Sequence, residues 1–229
     1  MHVEIWSDIA CPWCYVGKRR FEAALAAFPH RDAVKVTWRS FELDPEAPAE
    51  REGERAAHLA SKYGVTVERA REMEQHMTEV AAGDGLEFRF DHARSGNTFD
   101  GHRLVHLAAA HGRQDAMKER LLRAYLTEGE LISDRETLVR LAVEVGLDGD
   151  EAREALAGDR FADAVRADEA TAHELGITAV PFFVVDRAFG VSGAHPADAL
   201  GRMLQTAWDR ANPPIAVVAE GDSCGVDGC

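Results

Sequence analysis

Cys11-Pro12-Trp13-Cys14 gathers the most reactive side chains of this chain within a single turn. Two cysteines separated by two residues can close a disulfide across about one helical turn, and a thiolate on either sulfur attacks other disulfides. The preceding run Val3-Glu4-Ile5-Trp6-Ser7 alternates as a strand does, while Phe21, Leu25 and Phe28 recur at helical spacing after Lys18. The pair therefore sits where a strand passes into a helix. There Cys11 faces unpaired N–H groups and the positive end of the helix dipole, which favour a thiolate. Cys11 is expected to attack and Cys14 to resolve. Pro12 suits the first helical turn, where its missing N–H would be unpaired anyway. Trp13 brings no positive charge, so the Cys11 thiol is expected to be lowered only mildly, short of the ~3.5 reached in the strongest oxidants.

The elements that must hold this turn form a strand-and-helix frame with a long helical middle. With 229 residues, 46% of them hydrophobic, the chain can bury one large core or a core plus an inserted subdomain. Val34-Lys35-Val36-Thr37-Trp38 alternates as a second strand. From Pro48 to about Gly176 the period is helical, broken by loops at Gly83-Asp84-Gly85, Ser95-Gly96-Asn97 and Gly146-Leu147-Asp148-Gly149. Ser133 and Glu136 have capping-box spacing ahead of a helix carrying Leu138, Leu141 and Val145, and Phe99, Leu104, Leu107 and Ala108 line another. After Pro181, the segments Phe182–Asp186 and Ala188–Ser192 read as paired strands. A last helix follows Pro196 with Leu200, Met203, Leu204 and Trp208 on its apolar side. No internal repeat is present.

Three separated motifs in this order resemble the thioredoxin superfamily, and within it the DsbA-like branch. Ser7-Asp8-Ile9-Ala10-Cys11-Pro12-Trp13-Cys14, Asn97-Thr98-Phe99-Asp100-Gly101-His102-Arg103-Leu104, and Val180-Pro181-Phe182-Phe183 with Val191-Ser192-Gly193-Ala194 look like the FrnE subgroup. The resemblance covers residues 3 to about 210. It implies an α/β, thioredoxin-like fold with a large inserted α-helical domain. Residues 1–47 and 177–212 would form the thioredoxin-like domain, 48–176 the insert and 213–229 a tail. It also implies a protein disulfide oxidoreductase acting through Cys11 and Cys14, with Pro12, Trp13, Val180 and Pro181 at the substrate. A cis bond at Val180–Pro181 would bring Pro181 against the cysteines and leave the Val180 backbone to pair with a substrate strand. Taken by itself Pro181 reads first as a plain strand-entry proline, and it is the surrounding motif order that favours the cis bond. Kappa-class glutathione transferases and 2-hydroxychromene-2-carboxylate isomerases are relatives of this branch; they typically carry serine where this chain has Cys11, which favours thiol–disulfide chemistry here. Glutathione-dependent transfer or isomerisation of a small electrophile is the alternative.

The tail, Cys224-Gly225-Val226-Asp227-Gly228-Cys229, supplies two more cysteines whose glycines would let them meet. Tail-bearing FrnE-like proteins suggest a second redox pair relaying to Cys11–Cys14; a solvated tail with no specific role is the other reading. Four cysteines could also ligate zinc, but Pro12 and the strand-to-helix setting fit a redox turn better. No metal is expected. His102 and His106 lie one turn apart, which suits an ordinary half-buried helix face better than a metal site. Asn97 and His102 could line the substrate cleft, with helix capping by Asn97 as the alternative. Met73, Met77 and Leu86 could form an adaptable apolar patch or simply core. Asp148, Asp150 and Glu151 lack the pattern of a calcium loop and read as a helix start.

Composition narrows the partners. Twenty-six Lys and Arg against 40 Asp and Glu give a net charge of −14 with no basic run, which argues against nucleic acid. No apolar stretch approaches the ~20 residues that span a bilayer, so no membrane anchor is expected. Met1-His2-Val3-Glu4 carries no charged or apolar leader, and a cytoplasmic setting is expected, where paired cysteines are more often catalytic than structural. The expected partners are thiol- or disulfide-bearing proteins or small thiols. No tightly bound cofactor is expected, with glutathione as a co-substrate.

Overall fold

The computed structural model describes residues 1–213. Strand β1 (His2–Ser7) leads through a short loop into helix α1 (Pro12–Ala27), and strand β2 (Lys35–Ser40) returns parallel to β1. Helices α2 (Arg55–Tyr63), α3 (Val67–Gly83), α4 (Phe99–Ala110), α5 (Gln114–Arg123), α6 (Arg135–Glu144), α7 (Gly149–Ala157) and α8 (Ala162–Glu174) follow. The chain then re-enters the sheet as β3 (Phe182–Val185) and β4 (Phe189–Ser192) and ends its described course in α9 (Ala197–Ala211). Strand order is β2-β1-β3-β4, with β3 antiparallel to both of its neighbours. This is the thioredoxin-like α/β fold with a helical insertion. No helix among the described residues is long and apolar enough to cross a membrane.

The alternation of β1 divides the sheet into two faces. Val3 and Ile5 join Phe183 and Val185 in the main core, where Phe21 of α1 packs on Phe183 with ring centroids 5.5 Å apart. Helix α9 closes the same side through Leu200 and Leu204, and Trp208 meets the Phe28 ring edge-on. On the other face Trp6 and Val184 pack with Ala172 of α8 and with Ile177. The main core runs without interruption from the sheet into the helical insert, through Leu104, Leu107, Leu121 and Leu138. At the β3–β4 turn, closed by Ala188 N–H donating to Val185 C=O at 2.9 Å, the central residues Asp186 and Arg187 both have positive φ, 47° and 55°.

Side chains from the insert grip the free edge of β2. Gln114 accepts from Trp38 N–H at 3.0 Å and donates to Trp38 C=O at 2.9 Å, as a neighbouring strand would. The Ser40 N–H donates to Asp168 of α8 at 2.9 Å, and Trp6 Nε1 donates to the Asp168 carbonyl at 2.9 Å. These contacts satisfy exposed ladder groups and fix α5 and α8 relative to the end of β1. One sequence-based expectation shifts by a residue. The cap of α6 is Asp134, whose carboxylate accepts from Thr137 N–H at 2.8 Å, because Ser133 is drawn off to donate to the Ala49 carbonyl. Helix α1 begins at Pro12 with Cys11 as its cap, so the cysteine turn is its first turn, as expected from the sequence. Asp148 caps α7, accepting from Glu151 N–H at 2.8 Å.

Gly17 faces the loop at Pro181: a Cβ there would lie 2.8 Å from Pro181 Cγ. Alanine would gain about 1 kcal/mol of helix propensity but force a packed proline ring to move, at a cost of typically 1–3 kcal/mol. Gly17→Ala is therefore expected to leave stability unchanged or lower it by ~1–2 kcal/mol and to slow reaction at Cys11, as read by urea melts and thiol-exchange rates. A variant that is stabilised by the full propensity gain and reacts normally would contradict this packing.

Candidate active site

Cys11 is the N-cap of α1 and Cys14 lies in its first turn, with Cys14 N–H donating to Cys11 C=O at 3.1 Å. Both thiols are free. The peptide bond Val180–Pro181 is cis, and the Val180 carbonyl accepts from Cys11 Sγ at 3.6 Å. Cys11 is 5% exposed and Cys14 0% exposed, whereas Trp13 is 41% exposed. A cleft of about 340 Å3 opens over this turn, lined by Cys11, Pro12 and Trp13 but not by Cys14. Access alone thus assigns the two sulfurs different positions: one at the cleft, one behind it.

Behind Cys14 lies a set of buried polar groups supplied by three elements. Lys118, on α5, is fully buried and donates to the Ser7 carbonyl at 3.0 Å while sitting 6.0 Å from the centre of the Trp38 ring. Asp8 is buried and accepts from Leu43 N–H at 2.8 Å. Its other oxygen meets His102 Nε2 at 3.4 Å. Burial pushes the Lys118 ammonium down to about 8, although Cys14, Asp8 and Cys11 pull it the other way. Burial also pushes His102 down against the pull of Asp8, so a neutral imidazole donates to the carboxylate. Asp8 stays ionised: against the cost of burial, His102, Leu43 N–H and Lys118 hold it below the ordinary carboxylate range.

The thiol pair inherits this environment unevenly. The hydrogen bond that Cys11 gives Cys14, followed by burial, pushes the Cys11 thiol up. Cys14 goes down: despite burial, the Cys11 thiol, the Lys118 charge and the Ser7 hydroxyl all favour its thiolate. That Ser7 hydroxyl is buried with no hydrogen-bond partner among the described residues, which leaves it free to favour charge on Cys14. The sequence-based expectation of a mildly lowered Cys11 is corrected on this point. The helix end contributes little because Pro12 has no N–H and Cys11 makes no side-chain cap bond. Lys118 favours negative charge at Cys14, and that charge reaches the cleft when the shared proton passes from Cys11 to Cys14.

Asn97 and His102 sit elsewhere than at the cleft. The Asn97 carbonyl oxygen accepts from Phe99 N–H at 2.9 Å and starts α4, and neither residue lines the cavity. His106 meets Ser40 Oγ at 3.1 Å and Asp168 at 3.1 Å, and among the described residues no three His, Cys, Asp or Glu gather as a metal site. Met77 is buried, and both it and Met73 line the cleft, whereas Leu86 belongs to the core. Cys224 and Cys229 lie outside the described residues. Lys118 escapes a motif search, and Ser7 and Asp8, though they open the cysteine motif, carry no sign of their roles there. Lys118 does leave a trace, as a lysine on the same buried face of α5 as Met117, Leu121 and Leu122.

Lys118→Met keeps the bulk and removes the charge. Losing a cation beside a thiolate should raise the pair's first pKa by about one unit or more, seen as an upward shift in the thiolate absorbance titration. Because the reduced form loses that stabilisation, the reduction potential should fall by roughly 30 mV per unit. The difference from wild type should be largest once the pair has lost its first proton and Lys118 is still charged, and shrink at lower pH and above pH 8. An unchanged titration would show that Lys118 only fills space.

Comparison with known proteins agrees with this geometry. The family model for a DSBA-like thioredoxin domain matches residues 2–205. A crystal structure of a probable DsbA oxidoreductase from Streptomyces coelicolor is 48% identical, covering 100% of this chain and 98% of that one with a TM-score of 0.88. The protein YwbO of Bacillus subtilis is 30% identical over 192 residues, 81% of this chain and 86% of its own length. The cytosolic disulfide reductase DsbM of Pseudomonas aeruginosa shares the fold at 19% identity, with a TM-score of 0.66 over 92% of this chain and 100% of that one. With its strand-to-helix Cys-x-x-Cys turn, the cis-proline beside it and a helical insert, this chain belongs to the DsbA-like thioredoxin-domain family of oxidoreductases.

Proposed function

We propose that the chain is a thiol–disulfide oxidoreductase that exchanges disulfides with proteins or small thiols through Cys11 and Cys14. The observation that carries this reading is the division of the pair. The Cys11 sulfur borders the cleft, while Cys14 is sealed behind it beside a buried cation. In the oxidative half-reaction Cys11, having passed its proton to Cys14, attacks a substrate disulfide and releases one substrate thiolate. The mixed disulfide that remains is attacked by Cys14 once its proton has left for the departing thiolate. Cys11–Cys14 closes, and the second substrate thiolate departs. Two electrons have moved from the protein to the substrate, and the reverse sequence oxidises a dithiol.

No tightly bound cofactor is required, since thiols supply and accept the electrons; glutathione would serve as a co-substrate. The Val180 backbone beside Cys11 and the Trp13 ring suit the approach of a substrate sulfur, with Pro12 and Pro181 shaping the turn. The net charge of −14 disfavours nucleic acid as a partner. A cytoplasmic setting accords with the paired cysteines. A relay through Cys224 and Cys229 would add a second step; replacing both with serine should slow turnover with a protein partner, and unchanged turnover would sink the relay. A cysteine at position 11 weighs against the glutathione-dependent isomerase or transferase reading.

Two substitutions test the main reading with a small disulfide. Cys14→Ser should accumulate a stable mixed disulfide on Cys11, detectable by intact mass. Cys11→Ser should lose exchange by on the order of a thousandfold or more. A Cys11→Ser variant that still exchanges, or glutathione-dependent conversion of a small electrophile with no net thiol oxidation, would overturn it.

A further inference from the structure

Helices α2 and α3 wall the cleft over Cys11 opposite the cysteine turn, and the chemistry of that wall bears on which disulfides reach the sulfur. The inference rests on the thiol–disulfide reading above. The wall is largely apolar: Leu59 and Tyr63 come from α2, Met73 and Met77 from α3, and Phe90 from the loop after α3. Tyr63 at 57% exposed and Trp13 at 41% leave large rings uncovered at the cleft. Two methionines give such a surface the ability to repack around ligands of different shape.

Two of the three Lys and Arg side chains in the cleft lining are already matched. Arg51 pairs with Asp44 at 2.7 Å. Arg55 pairs with Glu74 and lies over the Phe90 ring, 4.4 Å from its centre. Burial and the nearby Arg51 and Lys62 push the His58 imidazole down, toward its neutral form. Among the described residues, Lys62 is the lining Lys or Arg with no carboxylate in ion-pair range, and Asp8, Asp44 and Glu74 equal in number the three Lys and Arg of the lining. A net-negative disulfide such as oxidised glutathione, two tripeptides joined, therefore meets one unpaired cation, Lys62, in a lining of three cations and three carboxylates within a chain of net charge −14. The volume, about 340 Å3, falls in the range of small-molecule pockets and is more than one protein side chain fills.

We propose that the cleft selects low-molecular-weight organic disulfides with an uncharged apolar or aromatic body, which packs on Met73, Met77 and Phe90 while the sulfur bond lies at Cys11. Exchange then follows the stoichiometry given above: Cys11 bonds to one substrate sulfur and the other leaves as a thiolate. Cys14 then displaces the second, so one disulfide is reduced to two thiols while Cys11–Cys14 is oxidised.

The test is the rate at which the reduced full-length chain is oxidised by four probes. These are hydroxyethyl disulfide, the mixed disulfide of 2-phenylethanethiol and mercaptoethanol, oxidised glutathione, and an unstructured apolar peptide whose cysteine carries a hydroxyethyl disulfide. Each rate is divided by that of the same probe with dithiothreitol, which removes differences in intrinsic electrophilicity. The phenylethyl probe should exceed hydroxyethyl disulfide by about tenfold or more, the reward for burying a phenyl ring, with glutathione disulfide slower than both. Met73→Glu, at a half-exposed position, and Tyr63→Asp at the exposed rim should each narrow the phenylethyl-to-hydroxyethyl ratio several-fold. Equal normalised rates, a lead for glutathione disulfide, or a lead for the peptide would each overturn the substrate class while leaving exchange at Cys11 standing. If no probe oxidises the chain, the thiol–disulfide reading falls and this inference with it.

Discussion

A positive charge held out of water beneath two thiols is the constraint on which the arrangement of this protein turns. An ammonium in such a place is costly unless it is hydrogen-bonded and faces negative charge. Lys118 meets both needs at one point: it donates to the last carbonyl of β1 and faces Asp8 and the sulfur pair. The lysine is 111 residues from its acceptor, on the insert rather than on the thioredoxin-like frame. The reactive turn is thus incomplete until the helical middle has docked. Fold and reactivity are joined at that contact.

The rest of the structure can be understood as what keeps the contact dry and in register. Gln114, one turn before Lys118 on α5, takes the place of a strand beside Trp38, so α5 cannot slide along the sheet edge without breaking two hydrogen bonds. Lys18, also buried, ties α1 to α5 through Asp115 at 3.2 Å and Glu119 at 3.1 Å. Tyr15 donates to the same Glu119 at 2.6 Å. The helix bearing the cysteines and the helix bearing their cation are therefore locked together by charge-assisted bonds that are partly shielded from solvent. On the far side of the thiols, Gly17 leaves the room that Pro181 occupies.

Much of this was legible in the residues, and the remainder was not for definable reasons. Periodicity located the four strands and the last helix, because a half-buried strand and an amphipathic helix write their burial into every second or every third and fourth residue. The cysteine turn was legible because its spacing is itself chemical. Lys118 was not, because a lone lysine in a helix is ordinarily solvated, and its burial depends on a carbonyl distant in sequence. The lowering expected at Cys11 followed from helix-end electrostatics alone. The contact between the two thiols and burial push Cys11 up, and the Cys11 thiol together with the buried cation favours the Cys14 thiolate instead. His102 belongs to a recognisable motif, yet its part is to hold Asp8 behind the turn rather than to meet a ligand. Motif membership marks importance without saying which side of the sulfur a residue occupies.

The central claim, that Cys11 and Cys14 form one reversible redox unit, is tested most directly by equilibrating the protein in graded glutathione buffers. Acid quenching, alkylation and mass mapping then report which cysteines are paired at each potential. The account predicts a Cys11–Cys14 disulfide that forms and reverts between the potentials of thioredoxin and DsbA, roughly −270 to −120 mV. A Cys11 that stays free, or becomes only glutathionylated across the whole range, would contradict it.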